Sequence, residues 1–166
     1  MKNLLFDFIV DKDSSTVFVN REFAADISLV WDAFTKQEIL DQWWAPQPWV
    51  SKTIKMDFKE GGQRFYAMVG PEGQEHYSIE LYTLIKPQMD IHWESYFADK
   101  DENINKDFPS SEWELKFSEQ RGICKVNIVI KHKTLADLEM HIQMGFKEGF
   151  TATLNYLENL LLNLNN

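Results

Sequence analysis

The sequence predicts an α+β domain in which a curved antiparallel sheet wraps a long C-terminal helix. Three observations carry that expectation. Residues 50 to 131 alternate apolar and polar with period two, short turns divide them, and the period becomes three to four from about Leu135 to Leu162. Short connections favour antiparallel neighbours, because a parallel pair needs a crossover of about a dozen residues or more. One apolar face per run fits a sheet covered on one side.

The first two runs, Leu4 to Val10 and Thr16 to Phe23, flank the polar turn Asp11 to Ser15. Val17, Val19, Arg21 and Phe23 share one face of the second run, which reads as a strand. Asp26 or Ser28 can then cap a helix carrying Val30, Trp31 and Phe34. A second short helix is expected to carry Ile39, Leu40, Trp43 and Trp44, and to stop at Ala45-Pro46, where proline cannot continue the helical ladder. Two brief helices after the first core strand form a cap rather than a layer.

Strand parity then sets the expected core face. Ile54, Met56 and Phe58 lead to a Gly61-Gly62 turn, and Phe65, Ala67 and Val69 lead to Gly70-Pro71-Glu72-Gly73. Tyr77, Ile79, Leu81, Thr83 and Ile85 make a longer strand, followed by Met89, Ile91, Trp93 and Ser95. A charged surface loop covers 99–109. Trp113, Leu115 and Phe117, then Cys124, Val126, Ile128 and Ile130, close the series. The same parity sends Arg64 outward, with His92, Glu94, Glu80 and Tyr82 on the outer class of face.

In the last segment Leu138, Ile142, Phe146, Phe150, Leu154, Leu157 and Leu161 form one stripe of a helix roughly 40 Å long. Gly145 and Gly149 fall inside it, each costing about 1 kcal/mol relative to Ala. Close approach of the helix to the sheet is the first reading of these glycines, and a local bend beside a cavity is the second.

Composition narrows the function. The 166 residues suit one domain over 1–166, able to bury about 70% of its unfolded surface. Twelve Phe, six Trp and five Tyr need a large aromatic interior. A net charge of −9 disfavours nucleic-acid binding, which draws on Lys and Arg, and opposes docking on an anionic membrane. Cys124 stands alone, so no intrachain disulfide forms. The stretch from Met1 meets Asp7 before any signal-like run develops, and no run nears the ~20 apolar residues of a spanning helix. A cytoplasmic location is the default expectation. None of His76, His92, His132 and His141 stands at a ligand-like spacing from another His or Cys, so no metal is expected. Nucleophile-elbow, phosphate-loop and dinucleotide motifs are absent, so neither a cofactor nor a catalytic residue is assigned.

Certain stretches resemble a known family. These are Arg21-Glu22-Phe23, Val30-Trp31-Asp32-Ala33-Phe34-Thr35, Trp43-Trp44-Ala45-Pro46, Met56-Asp57-Phe58-Lys59-Glu60-Gly61-Gly62, and Gly145-Phe146-Lys147-Glu148-Gly149-Phe150 with Leu154, Leu157 and Glu158. Together they resemble homologues of the activator of the heat-shock-protein-90 ATPase, within the START-like, pollen-allergen-like superfamily of helix-grip domains. The resemblance implies a container with a cavity between sheet and helix. Its candidate lining is Trp43, Trp44, Phe65, Tyr77, Ile79, Trp93, Trp113 and Phe117, met from the helix side by Phe146 and Phe150. The first functional expectation is binding of a small, mostly apolar molecule there. A protein-interaction or chaperone-regulatory module is the second, and an enzyme acting on a hydrophobic substrate the third. A homodimer is expected only because homodimers are common.

Overall fold

The computed structural model describes residues 3–164; Met1 and Lys2, which open the N-terminal stretch read above, lie outside the described residues, as do the last two positions. The chain runs β1 (Phe6–Asp11), β2 (Thr16–Phe23), α1 (Ile27–Thr35), α2 (Gln37–Leu40), β3 (Val50–Met56), β4 (Gln63–Val69), β5 (Glu75–Lys86), β6 (Asp90–Ala98), β7 (Ser111–Gln120), β8 (Ile123–His132), α3 (Leu135–Gln143) and α4 (Phe146–Leu164). The strands form one eight-stranded sheet ordered β1-β2-β8-β7-β6-β5-β4-β3, each pair antiparallel. Strands β3 to β8 are a plain meander, as their short turns require. The chain must then cross the sheet from β2 to the far edge at β3, and α1 and α2 make that crossing.

Leu154, Leu157 and Leu161 of α4 are buried in the same core as Val17 and Val19 of β2, Leu115 of β7 and Ile128 of β8. The expected parity holds on β2, β6, β7 and β8. It is reversed on β4 and on the first part of β5. There Arg64 and Tyr66 share the inner face with Glu80 and Tyr82, while Phe65 and Ile79 lie outside the core cluster. The cause is an irregularity between Tyr82 and Leu84, which takes up one residue, so that Tyr82 and Ile85 both face inward opposite Trp93 and Ile91. Alternation from Tyr77 to Ile85 is therefore not continuous. A second shift between Thr53 and Lys55 leaves Ile54 45% exposed and turns Ser51 and Thr53 inward.

Phe65 and Ile79 are nonetheless buried on the outer face. The Phe65 ring stacks on Tyr77, with centroids 5.6 Å apart. Lys55, paired in register with Phe65, forms an ion pair with Glu102, and Ile104 bridges to Ala98. Glu102 of the 99–109 loop thus reaches this face.

Two helical expectations are corrected. Helix α2 is a single turn, and Trp43 and Trp44 lie past its end, where Asp41 turns its carboxylate to Ser51 and Thr53. The terminal helix is two helices, α3 and α4, parted at Met144 and Gly145. Gly145 has φ of +89°, left-handed backbone that an L side chain rarely adopts. No atom lies within 4 Å of where its Cβ would stand, so the bend rather than close approach explains it. A Cβ on Gly149 would meet only Pro46, at 3.6 Å.

These two glycines should respond in opposite ways in urea unfolding. Gly145→Ala is expected to destabilise by about 1–2 kcal/mol through backbone strain. Gly149→Ala, with room for its methyl group and a helical backbone, is expected to stabilise by up to about 1 kcal/mol.

Candidate functional site

The site begins with a buried charge. Arg64 is 0% exposed. Its Nε donates to Thr53 Oγ1 (3.1 Å), Nη1 to Glu80 Oε1 (3.4 Å), and Nη2 to Ser51 Oγ (3.0 Å) and Asp41 Oδ1 (3.3 Å). The guanidinium also lies 3.8 Å from the Tyr66 ring centroid. An unpaired buried charge is costly, so these partners explain why a cation is tolerated on the core face. They also join β3, β4, β5 and the turn after α2. Burial pushes the Glu80 carboxyl up, opposed by Arg64, and its Oε2 meets no partner among the described residues. Burial likewise raises the Tyr66 phenol to about 12, with Glu80 adding to the rise.

The double tryptophan stands on this base. Trp43 Nε1 donates to Ala33 O (2.9 Å) and its ring meets Phe34 edge-on, plugging the cap. Trp44 Nε1 donates to Tyr66 Oη (3.0 Å). Its ring lies about 6 Å from those of Trp93, Trp113 and Phe150.

Beside Trp44 lies a cavity of about 230 Å³. Tyr66 and Met68 of β4, Ser78 of β5, Ser95 and Phe97 of β6, and Trp113 of β7 form its sheet side. Phe146, Gly149, Phe150 and Thr153 form its helix side. Exposed His76, Met144 and Gly145 mark where it reaches solvent.

Of the sequence candidates, Trp44, Trp113, Phe146 and Phe150 meet around this space. Trp113 lies 5.9 Å from Phe146 and 5.5 Å from Phe150, ring to ring. Trp43, Trp93 and Phe117 are packed in the adjoining core and do not line it. Phe65, Tyr77 and Ile79 are not in the core cluster or the lining, because the reversed parity of β4 and β5 sends them to the outer face. Tyr66, Met68 and Ser78 take their places, and only a bulge, which leaves no clear mark in the sequence, distinguishes the two sets.

Sequence reasoning also missed a histidine pair. His132, the last residue of β8, and His141 of α3 lie with Nε2 and Nδ1 2.9 Å apart. The α3 segment folds back on the end of β8, which no local spacing announces. His141 lines the cavity and stacks on Phe146 at 4.1 Å. Burial lowers His141 to about 3, with His132 adding to the fall. Burial also lowers His132, against the opposing effects of the Ser15 carbonyl and Asp137.

Comparison with known proteins places the chain among relatives. Residues 24–162 match the family model described as activator of Hsp90 ATPase homolog 1-like protein. No curated protein matches the sequence. A solved structure from Staphylococcus epidermidis is 30% identical, with a TM-score of 0.81 and coverage of 93% of each chain. One from Mycobacterium smegmatis is 26% identical, with a TM-score of 0.87, covering 96% of this chain and 97% of the other. A third, from Arthrobacter aurescens, shares the fold at 20% identity, with a TM-score of 0.90 over 95% and 91%.

Two outcomes follow from the buried ionisable groups. Arg64→Met should cost about 3–5 kcal/mol in urea unfolding by leaving Glu80 unpaired, and adding Glu80→Gln should recover part of the loss. The histidines give a pH dependence. They take up protons near 6.5 in the unfolded chain but resist them when folded, so their contribution is complete above about pH 6.5 and is lost as pH falls toward 3. Replacing His141 with Phe should flatten that acid slope by up to about 1.4 kcal/mol per pH unit, read from urea midpoints between pH 7 and 4.

Proposed function

The chain belongs to the activator of Hsp90 ATPase homolog 1-like family, and from that premise we propose that it binds a small, mostly apolar molecule in the cavity between the sheet and α4. The observation that carries this reading is the cavity itself, about 230 Å³ and walled by Trp44, Trp113, Phe146 and Phe150. A cavity of about 150 Å³ already holds a benzene ring, so this one suits a molecule of about two fused rings. Its wall is mainly apolar, and some of its polar groups are already engaged. Trp113 Nε1 donates to Ser111 Oγ (3.0 Å), and Thr153 Oγ1 donates to Phe150 O (2.8 Å). A mostly apolar pocket with a few placed polar groups is the usual form of a small-molecule site.

Calorimetric titration with 1-methylindole tests the proposal. The protein should take up one molecule per chain, with quenching of tryptophan fluorescence as Trp44 and Trp113 are covered. Ser95→Phe, which places a ring in the cavity, should weaken that binding at least tenfold while far-UV circular dichroism stays unchanged. No uptake of either 1-methylindole or indole by the folded wild-type protein, or equal uptake by the filled variant, would refute it.

A further inference from the structure

The histidine pair has a direction built into it. His132 Nδ1 lies 3.3 Å from Ser15 O, a carbonyl that also accepts from the His132 amide at 3.0 Å. A carbonyl oxygen can only accept, so His132 carries its ring proton on Nδ1. In the neutral ring Nε2 is then an acceptor. The contact of 2.9 Å to His141 Nδ1 requires one donor and one acceptor, which puts the His141 proton on Nδ1. Burial keeps both rings in the neutral state in which this order holds. His141 Nε2 is left with a bare lone pair and has no hydrogen-bond partner among the described residues.

The position of that lone pair matters because His141 is part of the cavity wall. Its ring is fixed by the stack on Phe146 and by Phe97, edge-on at 6.5 Å. An uncommitted hydroxyl of the wall, such as that of Ser95, can rotate to donate or to accept, so it does not select between the two kinds of ligand group. A neutral imidazole whose other nitrogen is committed does select, since its free nitrogen only accepts.

We infer that His141 Nε2 is the acceptor for a ligand's hydrogen-bond donor, so that the cavity takes compact apolar molecules bearing one N–H or O–H group. His132 and the Ser15 carbonyl act as positioning groups that hold His141 in the accepting tautomer. The inference rests on the cavity being a binding site and names the class of molecule it prefers.

Indole and 1-methylindole separate the two ideas, since they differ in one N–H. By calorimetry at pH 7.5, wild-type protein should bind indole about fivefold or more tighter than 1-methylindole, although the methylated probe is the more apolar. His141→Leu should abolish or reverse that preference while still binding 1-methylindole. If 1-methylindole binds as well as indole or better, the accepting role of His141 is overturned and the cavity proposal stands. If neither probe binds, both fail. A long-range ¹H–¹⁵N spectrum of the wild-type histidines needs no variant. It should show His141 protonated on Nδ1 and bare on Nε2, and the opposite tautomer would overturn the inference.

Discussion

Burial of the Arg64 guanidinium is the constraint on which the rest of the structure depends. A charge with 0% exposure needs its donors occupied, and Ser51, Thr53, Asp41 and Glu80 occupy them from β3, the turn after α2, and β5. Asp41 is thereby held against the sheet edge. Trp43 and Trp44 follow it within three residues, so the same contacts that satisfy Arg64 set the entry of the double tryptophan into the core. Tyr66 lies under the guanidinium and receives the Trp44 indole N–H, joining the polar cluster directly to the cavity wall. A buried ion pair of this kind is weak support for stability in itself, because desolvation offsets much of the attraction. Its effect here is to fix which way the aromatic wall faces.

Much of the fold was legible in the sequence, and the failures have local causes. Period two with short turns marks the meander, and a helical cap, the Gly-Gly turn and a C-terminal helical segment stand in the expected order, although that segment is two helices. Inner faces were read correctly where alternation was unbroken, as at Trp113-Leu115-Phe117 and Cys124-Val126-Ile128-Ile130. They were reversed at Phe65, Tyr77 and Ile79, because a bulge shifts register by one residue and moves every side chain to the other face. Phe65 and Ile79 are buried on the outer face all the same, so their hydrophobicity is a true signal of burial and a false signal of side. Arg64 is the converse case, a charged residue whose inward position is stable only because of partners distant in sequence.

The cavity and the histidine pair were not legible for a different reason. A void depends on how side chains from Trp44, Met68, Trp113, Phe146 and Phe150 meet, and alternation fixes only their side of the sheet. His132 and His141 are nine residues apart across a strand end and the start of α3, so their contact depends on how α3 docks. The break at Gly145 matters to both, since it lets α3 and α4 present His141 and Phe146 to the same space. The space is not sealed, since exposed His76, Met144 and Gly145 border it.

Diffraction from crystals of the unliganded protein under xenon pressure tests the central claim most directly, since xenon occupies dry apolar cavities. Xenon is expected between Trp44, Met68, Trp113 and Phe150, with those rings unmoved and Arg64 still bound to Glu80 and Asp41. A core with no xenon there, its rings closed against one another, would contradict the claim that sheet and helix enclose a binding space.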